Sequence, residues 1–242
     1  MTSSKGAHGQ SNHSSAPPSV GDRLQVRIEK LAIGGAGIAR ADGFVLFVDL
    51  AVPGDELTVE VTSSKGRHGE ARIVEILTPG ESRRTPPCSY ADRCGGCNWQ
   101  QIADAEQLHQ KDLLLRETFA KFLPGRNIPF EPFVPSPKSL RYRNRVQPRM
   151  KNGRLGYYRR KSHEFLPVDD CLITEEALAV FFKNPPKISL DQETRVELRL
   201  SQDNVPQWSV QGREEAEGFS FSQVNRFQNQ DLIETVLRWG SN

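Results

Sequence analysis

The chain is poor in cysteine and has no long apolar run. Only four of its 242 residues are cysteine, far below the share of a disulfide-stabilised secreted domain. Residues 1–19 are rich in Ser, Gly, His and Asn and contain no apolar stretch of the signal-peptide kind, and no later segment reaches the length of a membrane span. We therefore expect a cytoplasmic protein without a membrane partner, whose residues 1–19 are a disordered tail.

Acidic residues are absent from one basic stretch, residues 138–163, which is called the basic block below. The rest of the chain has 22 lysines and arginines against all 30 acidic residues, so the net charge of +2 hides a strong asymmetry. Such asymmetry is typical of a protein that binds a polyanion. A solvated surface is the alternative, but the lack of interleaved acids disfavours it. The ten cations of the block are Lys138, Arg141, Arg143, Arg145, Arg149, Lys151, Arg154, Arg159, Arg160 and Lys161.

The four cysteines have the spacing of a single metal site. Cys88, Cys94 and Cys97 form a C-x5-C-x2-C block, and Cys171 lies well downstream. We expect Gly95 and Gly96 to permit the sharp turn that brings the neighbouring thiolates together. Four thiolates suit either a tetrahedral zinc or an iron–sulfur cluster, and the spacing leaves both open. Two disulfides or free thiols are the disfavoured alternative.

Residues 20–79 have only β signals. Apolar and polar residues alternate in short runs, and glycine-containing turns separate the runs. Five short strands in so few residues predict a small barrel of the oligonucleotide-binding kind. The glycines at 34, 35 and 37 are interpreted as a turn of this barrel, because no Lys-Ser/Thr pair follows them as in a phosphate loop.

Residues beyond 80 predict a mixture of helices and strands. Asn152-Gly153 is a strong hairpin signal, so strands are expected at about 141–150 and 155–161. Alternate residues of a strand share a face, and we therefore expect Arg141, Arg143, Arg145 and Arg149 to project together as a cationic ribbon. Helices are predicted at 104–123 and 175–182, strands at 194–200 and 207–211, and an amphipathic helical segment at 231–239.

Several motifs, taken in order, resemble one family of enzymes. They are L-x-I-G-G-A-G-I-A-R-x-D-G-F-V-L-F-V with V-P-G-D near the N-terminus, the cysteine block followed by x-W-Q, Y-R-N-R-V-Q at 142–147 with G-x-L-G-Y-Y, V-D-D-C ending at Cys171, and F-S-Q-V-N at 221–225. The pattern is similar to the TRAM-domain, iron–sulfur-containing class I RNA (uracil-5) methyltransferases that modify uridines in ribosomal RNA. The match covers nearly everything from Val20 to Trp239.

The resemblance implies a fold and a set of site residues. The fold would be mostly β with short helices (α+β): a five-stranded OB-like TRAM barrel at 20–79, an iron–sulfur and central RNA-binding domain at 80–220, and at 221–242 the truncated beginning of an α/β methyltransferase domain. Cys88, Cys94, Cys97 and Cys171 would hold a [4Fe-4S] cluster. Gln223 would contact S-adenosylmethionine or the flipped uracil, and Phe221 would border that pocket. The residues that we expect to contact RNA are Lys65, Arg67, Arg141, Arg143, Arg145, Arg149, Lys151 and Arg154.

The family's catalytic groups have no counterpart in residues 1–242. Its chemistry uses a cysteine nucleophile, a glutamate base and a glycine-rich turn for the methyl donor, whereas all four cysteines are assigned to the cluster. We therefore expect the RNA-binding and iron–sulfur part of a methyltransferase, with S-adenosyl-L-methionine as cofactor of the complete enzyme and no catalytic residue in this chain. The alternatives are a stand-alone RNA-binding protein with a TRAM domain and a metal cluster, and a zinc-stabilised nucleic-acid module.

Overall fold

The computed structural model describes residues 16–187, 193–210 and 223–241. Within these ranges the chain forms two compact units that divide between Glu81 and Ser82, two residues beyond the boundary expected from the sequence. The expected tail falls largely on residues 1–15, which lie outside the described residues. No helix in the described ranges is long and apolar enough to cross a membrane.

The first unit is a curled sheet of six strands. Its strands, in chain order, are β1 (Arg23–Arg27), β2 (Lys30–Leu31), β3 (Gly37–Ala41), β4 (Phe44–Val48), β5 (Glu56–Lys65) and β6 (His68–Thr78). They are hydrogen-bonded in the order β1-β5-β6-β4-β3-β2, with β4 parallel to β6 and every other pair antiparallel. The expectation of five strands was wrong by one, because the two residues of β2 are too few to show an alternating pattern.

Alternation of apolar residues builds the core of this unit. Phe44, Leu46 and Val48 of β4 are buried and point to one side of the sheet, as the period of two requires. They meet Leu57 and Val59 of β5 in one hydrophobic cluster. The glycine-rich stretch before β3 is a turn, as expected: Gly34 and Gly35 have φ of 97° and 100°. Short-range patterns therefore account for most of this unit.

A buried carboxylate closes the first unit. Asp55 is fully buried, and its two oxygens accept hydrogen bonds from the Val52 amide at 2.7 Å and from the Gly80 amide at 2.9 Å. A Cβ atom on Gly80 would lie 2.3 Å from the Pro53 carbonyl oxygen, so only glycine allows this approach. The V-P-G-D sequence thus ties the loop before β5 to the segment after β6.

The second unit is a sheet with three helices. Its elements are α1 (Asp104–Phe122), β7 (Arg145–Val146), β8 (Arg149–Lys151), β9 (Arg154–Tyr158), β10 (Phe165–Pro167), α2 (Glu176–Lys183), β11 (Thr194–Leu200), β12 (Pro206–Val210) and α3 (Arg226–Gly240). The sheet order is β10-β9-β8-β11-β12, and β7 also pairs with β11. Leu178 and Phe182 of α2 are buried and join the cluster that Met150, Leu155 and Leu198 form on this sheet.

The hairpin of the basic block is present, but its first strand is broken. Asn152 and Gly153 have φ of 50° and 71°, which is the geometry of a tight hairpin turn between β8 and β9. The strand expected at 141–150 is instead divided into β7 and β8. Pro148 lies between them and has no amide hydrogen for a sheet ladder, and its carbonyl accepts from the Val196 amide at 2.9 Å. The prediction that one continuous strand carries the four arginines of the cationic ribbon was therefore wrong.

Two helices present apolar side chains that the described residues leave uncovered. The helix α1 has 19 residues and ends one residue before its expected end, whereas α3 has 15 residues and is longer than the segment expected at 231–239. Within the described chain, Gln110 alone is buried on α1, and α3 has no buried residue. The side chains of Leu232, Val236 and Trp239 on α3 are more than half exposed. These two helices contrast with α2, whose apolar side chains are covered by the sheet.

Candidate metal centre

All four cysteines line one cavity of about 220 Å³ in the second unit. Cys88, Cys94 and Cys97 come from the loop before α1, which is called the cysteine loop below, and Cys171 comes from the segment before α2. All four are free thiols. No group of three or more His, Cys, Asp or Glu residues in the described part of the chain is arranged to hold a metal ion. All four thiols therefore face one cavity.

The cysteine loop is held by side chains from distant parts of the sequence. The Arg160 guanidinium donates to the carbonyl oxygens of Cys97 at 2.5 Å, Cys94 at 3.3 Å and Ala91 at 3.4 Å. The Cys88 amide donates to the Gln100 side-chain oxygen at 3.2 Å. One arginine from the end of the hairpin thus satisfies three carbonyls of a loop that has no regular structure of its own.

The glycines of the cysteine loop serve a different purpose from the expected one. Neither Gly95 nor Gly96 is among the residues with positive φ, so the turn does not depend on their conformational freedom. A Cβ atom on Gly95 would instead lie 3.2 Å from the Tyr158 carbonyl oxygen, which accepts a hydrogen bond from the Gly95 amide at 3.0 Å. Any larger residue than Gly95 would therefore be crowded where the cysteine loop approaches β9.

The Cys171 segment is fixed by an ion pair and two tyrosines. The Arg141 guanidinium donates to both oxygens of Asp170, at 2.8 and 2.6 Å, and to the Cys171 carbonyl at 3.2 Å. The Tyr157 hydroxyl donates to the Cys171 sulfur at 3.8 Å. The Tyr90 hydroxyl donates to Asp169 at 3.2 Å and so joins the cysteine loop to this segment. The two parts of the cysteine set are therefore linked by contacts around the cavity.

Burial keeps these thiols protonated when no cation is near. It raises the pKa of Cys88, Cys94 and Cys97, and it is the largest influence on each. Hydrogen bonds from the Gly96 amide to Cys94 and from Gln100 to Cys97 act in the opposite direction, as does the charge of Arg143 on Cys97. Burial, followed by the nearby Cys171, raises the pKa of the Tyr157 phenol well above its usual value. Thiols with raised pKa values are poor nucleophiles. They can still serve as metal ligands, because a bound cation displaces their protons and holds them as thiolates.

The arginines of the basic block are mostly paired with acids from elsewhere in the sequence. The pairs are Arg141–Asp170, Arg145–Glu197, Arg149–Glu193, Lys151–Glu193, Arg154–Asp169 and Arg159–Glu164. The argument from missing acids was therefore wrong, because every partner lies outside residues 138–163. The side chains of Arg141, Arg145 and Arg149 are about one-quarter to one-third exposed, whereas those of Lys151 and Arg154 near the hairpin turn are about half exposed.

The remaining residues expected to bind RNA lie in the first unit. Lys65 is the last residue of β5, and Arg67 follows it across the turn to β6. Both side chains are exposed, and Gly66 between them has φ of 58°. The turn therefore presents two cations at the end of the longest hairpin of this unit.

Gln223 lies in an open groove of about 370 Å³ at the start of α3. The groove is also lined by Asn225, whose side chain accepts a hydrogen bond from the Gln228 amide at 3.1 Å and so begins the helix. The Asn225 amide group donates to the Ser136 hydroxyl at 2.9 Å. The other residue expected at this pocket, Phe221, lies outside the described residues.

Sequence reasoning missed the supports of the cysteine cavity. Gln100, Arg143 and Tyr157 line the cavity, and each lies in one of the motifs that carry the family resemblance. Those motifs could have identified them. Arg160 had no such signal, because its contacts with the cysteine loop cross more than sixty residues of sequence.

Comparison with known proteins identifies the first unit and the relatives of the whole chain. A family model of the TRAM domain matches residues 18–74, so the first unit is a TRAM domain. Most of the chain is related to proteins named as RNA methyltransferases. An uncharacterised one from Bdellovibrio bacteriovorus is 46% identical over 226 residues, which are 92% of this chain and 57% of that protein. One from Aquifex aeolicus is 34% identical over 155 residues, 64% of this chain and 36% of that protein.

A solved structure has a similar fold. The tRNA (uracil-54, C5)-methyltransferase of Pyrococcus abyssi, in complex with S-adenosyl-L-homocysteine, aligns with a TM-score of 0.58 at 20% identity. The alignment covers 88% of this chain and 64% of that one. Among the sequence relatives, the chain spans little more than half of the Bdellovibrio protein and about a third of the Aquifex protein.

Proposed function

We propose that this chain is the RNA-binding and iron–sulfur part of an S-adenosylmethionine-dependent RNA (uracil-5) methyltransferase that acts on ribosomal RNA. The observation that carries the proposal is the enclosure of one cavity by all four cysteines, in a chain that has a TRAM domain and relatives named as RNA methyltransferases. S-adenosylmethionine would supply the methyl group. We assign no catalytic residue within residues 1–242, because all four cysteines belong to the proposed cluster.

The resemblance of the cysteine motif to the iron–sulfur-containing methyltransferases supports a [4Fe-4S] cluster over zinc. Such a cluster takes one thiolate for each of its four irons, whereas a structural zinc takes four thiolates on one ion. Cys88, Cys94, Cys97 and Cys171 line one cavity, so one thiol is available for each iron. The bound cluster would join the cysteine loop to the Cys171 segment, which is a structural role.

Four cations are the best candidates for contact with RNA. Lys65 and Arg67 are exposed at the TRAM hairpin, and Lys151 and Arg154 are half exposed beside the turn of the second hairpin. An exposed ion pair contributes only about 0–1 kcal/mol, so Lys151 and Arg154 can exchange a carboxylate for a phosphate at little cost. Arg141, Arg145 and Arg149 are better buried, and we assign them to the ion pairs that they form within the second unit.

Anaerobic purification with metal analysis tests the cluster. We expect a brown protein that contains iron and acid-labile sulfide, because thiolate-bound iron absorbs visible light whereas zinc is colourless. One zinc per chain with neither iron nor sulfide would contradict the iron–sulfur part of the proposal and leave the RNA-binding part standing.

Salt-dependent binding to single-stranded fragments of ribosomal RNA tests the RNA contacts. Replacing both Lys65 and Arg67 with Glu should weaken binding and flatten the dependence of log K on log salt by roughly 1.4, since each phosphate contact on a single strand contributes about 0.7. Arg145→Gln serves as the matched control, which we expect to keep the wild-type slope. Equal binding by all three proteins would exclude the TRAM hairpin from the interface, and tighter binding to transfer RNA would redirect the choice of substrate.

A further inference from the structure

Arg143 has a fixed main chain at the cysteine cavity. Its amide donates to the Ile173 carbonyl at 2.8 Å, and its own carbonyl accepts from the Glu175 amide at 2.9 Å. Both partners belong to the segment that follows Cys171. The residue also lines the cavity together with the four thiols. Its position is therefore set by the same segment that supplies one of the cysteines.

The Arg143 side chain contains a buried donor without an acceptor. Its Nε atom has no hydrogen-bond partner among the described residues, and the same holds for Nε of Arg160, whose NH2 group donates to carbonyls of the cysteine loop. No acid of the described chain forms an ion pair with Arg143, whereas six other cations of the block are paired with carboxylates. A buried donor without an acceptor costs about 1–3 kcal/mol. An acceptor that enters the cavity would remove this cost.

A thiolate-bound cluster has the chemistry that this donor lacks. Four thiolates give the centre a net negative charge, and its sulfurs accept hydrogen bonds. The second donor at the cavity, the Tyr157 hydroxyl, is already directed at the sulfur of Cys171. A cationic donor next to such a centre both balances its charge and stabilises its more negative, reduced state.

We infer that Arg143 is a positioning residue of the proposed cluster, which it holds by its charge and by its unpaired N–H group. The inference rests on the proposed function, since it requires that the four cysteines bind an iron–sulfur cluster. Arg143 is therefore removed from the residues available to RNA. The basic block thus contains one arginine, Arg143, that contacts the proposed cluster. A second one, Arg160, donates hydrogen bonds to the cysteine loop.

The test compares Arg143→Gln, Arg143→Lys and the control Arg149→Gln in the full chain. Arg149 comes from the same block but is paired with Glu193, which keeps Lys151 as a second partner. The first measurement is the rate at which the anaerobically loaded protein loses iron to a chelator. We expect the Arg143→Gln protein to lose iron about tenfold faster than the wild type, which corresponds to about 1.4 kcal/mol. The Arg149→Gln protein should lose iron at the wild-type rate.

The second measurement is the reduction potential of the bound cluster, which a purely structural role of Arg143 would leave unchanged. Arg143→Gln should lower the one-electron potential by about 59 mV, the equivalent of a tenfold change, and Arg143→Lys should restore most of it. Wild-type rate and potential in Arg143→Gln, or equal changes in Arg149→Gln, would overturn the inference. A wild-type protein without iron and sulfide would instead overturn the proposed function, so the two failures are distinguishable.

Discussion

The two units of the chain bury their polar groups in different ways. In the TRAM unit, the buried charge is Asp55, and its hydrogen bonds go to backbone amides within the unit. In the second unit, a cavity is lined by four thiols, two tyrosines and Arg143, which come from segments far apart in the sequence. The first unit is therefore complete with its own residues, whereas the second contains a space whose polar lining is suited to a further group.

This difference predicts a different response to loss of the proposed cluster. Cys171→Ser should strongly destabilise the second unit and leave the TRAM unit folded, because a structural metal site contributes on the order of 10 kcal/mol to folding. Limited proteolysis with identification of the fragments measures the effect, and the TRAM unit serves as the internal control. Equal protection of both units in the variant would show that the cavity does not depend on the cluster.

The converse experiment removes the buried carboxylate of the TRAM unit. Asp55→Ala should lower the free energy of unfolding of that unit by about 3 kcal/mol, because two backbone amides lose a charged acceptor. The iron content of the second unit should not change. Denaturant unfolding measures the loss, and Glu75→Ala, at an exposed position of β6, is the control with an expected effect of less than about 0.5 kcal/mol. Equal losses in the two variants would contradict the role of Asp55.

Two arginines of the basic block allow a finer comparison within the second unit. Arg141 contacts both oxygens of Asp170 and also the Cys171 carbonyl, whereas Arg159 pairs with the more exposed Glu164 through one bond. Arg141→Gln should therefore cost about 2 kcal/mol and Arg159→Gln about 0.5 kcal/mol. Chemical unfolding of the two variants under identical anaerobic conditions tests this order, and the reverse order would contradict it.

The smallest expected effect is a pH dependence within the TRAM unit. Arg72 hydrogen-bonds to Glu60 at 2.7 Å and lowers the pKa of this carboxyl below its ordinary value of 4.5, with a further contribution from Arg23. The ionised carboxylate thus stabilises the fold above pH 4.5, and the stabilisation is lost as the pH falls through the lower pKa of the folded state. The stability difference between wild type and Glu60→Gln should shrink on acidification below pH 4.5. A difference that is constant with pH would contradict the ion pair.

Local patterns in the sequence predicted more of the TRAM unit than of the second unit. Alternation and turn glycines predicted a unit built from short strands and placed the turn at Gly34 and Gly35. In the second unit, the same reasoning found the turn at Asn152 and Gly153 and the helix α1, since these also depend on neighbouring residues. The same reasoning failed for ion pairs between residues that are distant in the sequence. No pattern within residues 138–163 indicates that Glu193 and Glu197 pair with arginines of the basic block.

The short segment at Arg143 and Asn144 connects two sites that have so far been considered separately. The Arg143 amide is bound to the segment after Cys171, and the Asn144 amide donates to the Val224 carbonyl at 3.0 Å, next to Gln223 in the groove of α3. The backbone at residues 143 and 144 is therefore hydrogen-bonded both to the segment beside the cavity and to the segment beside the groove. By thermodynamic reciprocity, a ligand that binds only the ordered groove would bind more tightly when the cavity is filled, and its binding would in turn slow the loss of whatever fills the cavity.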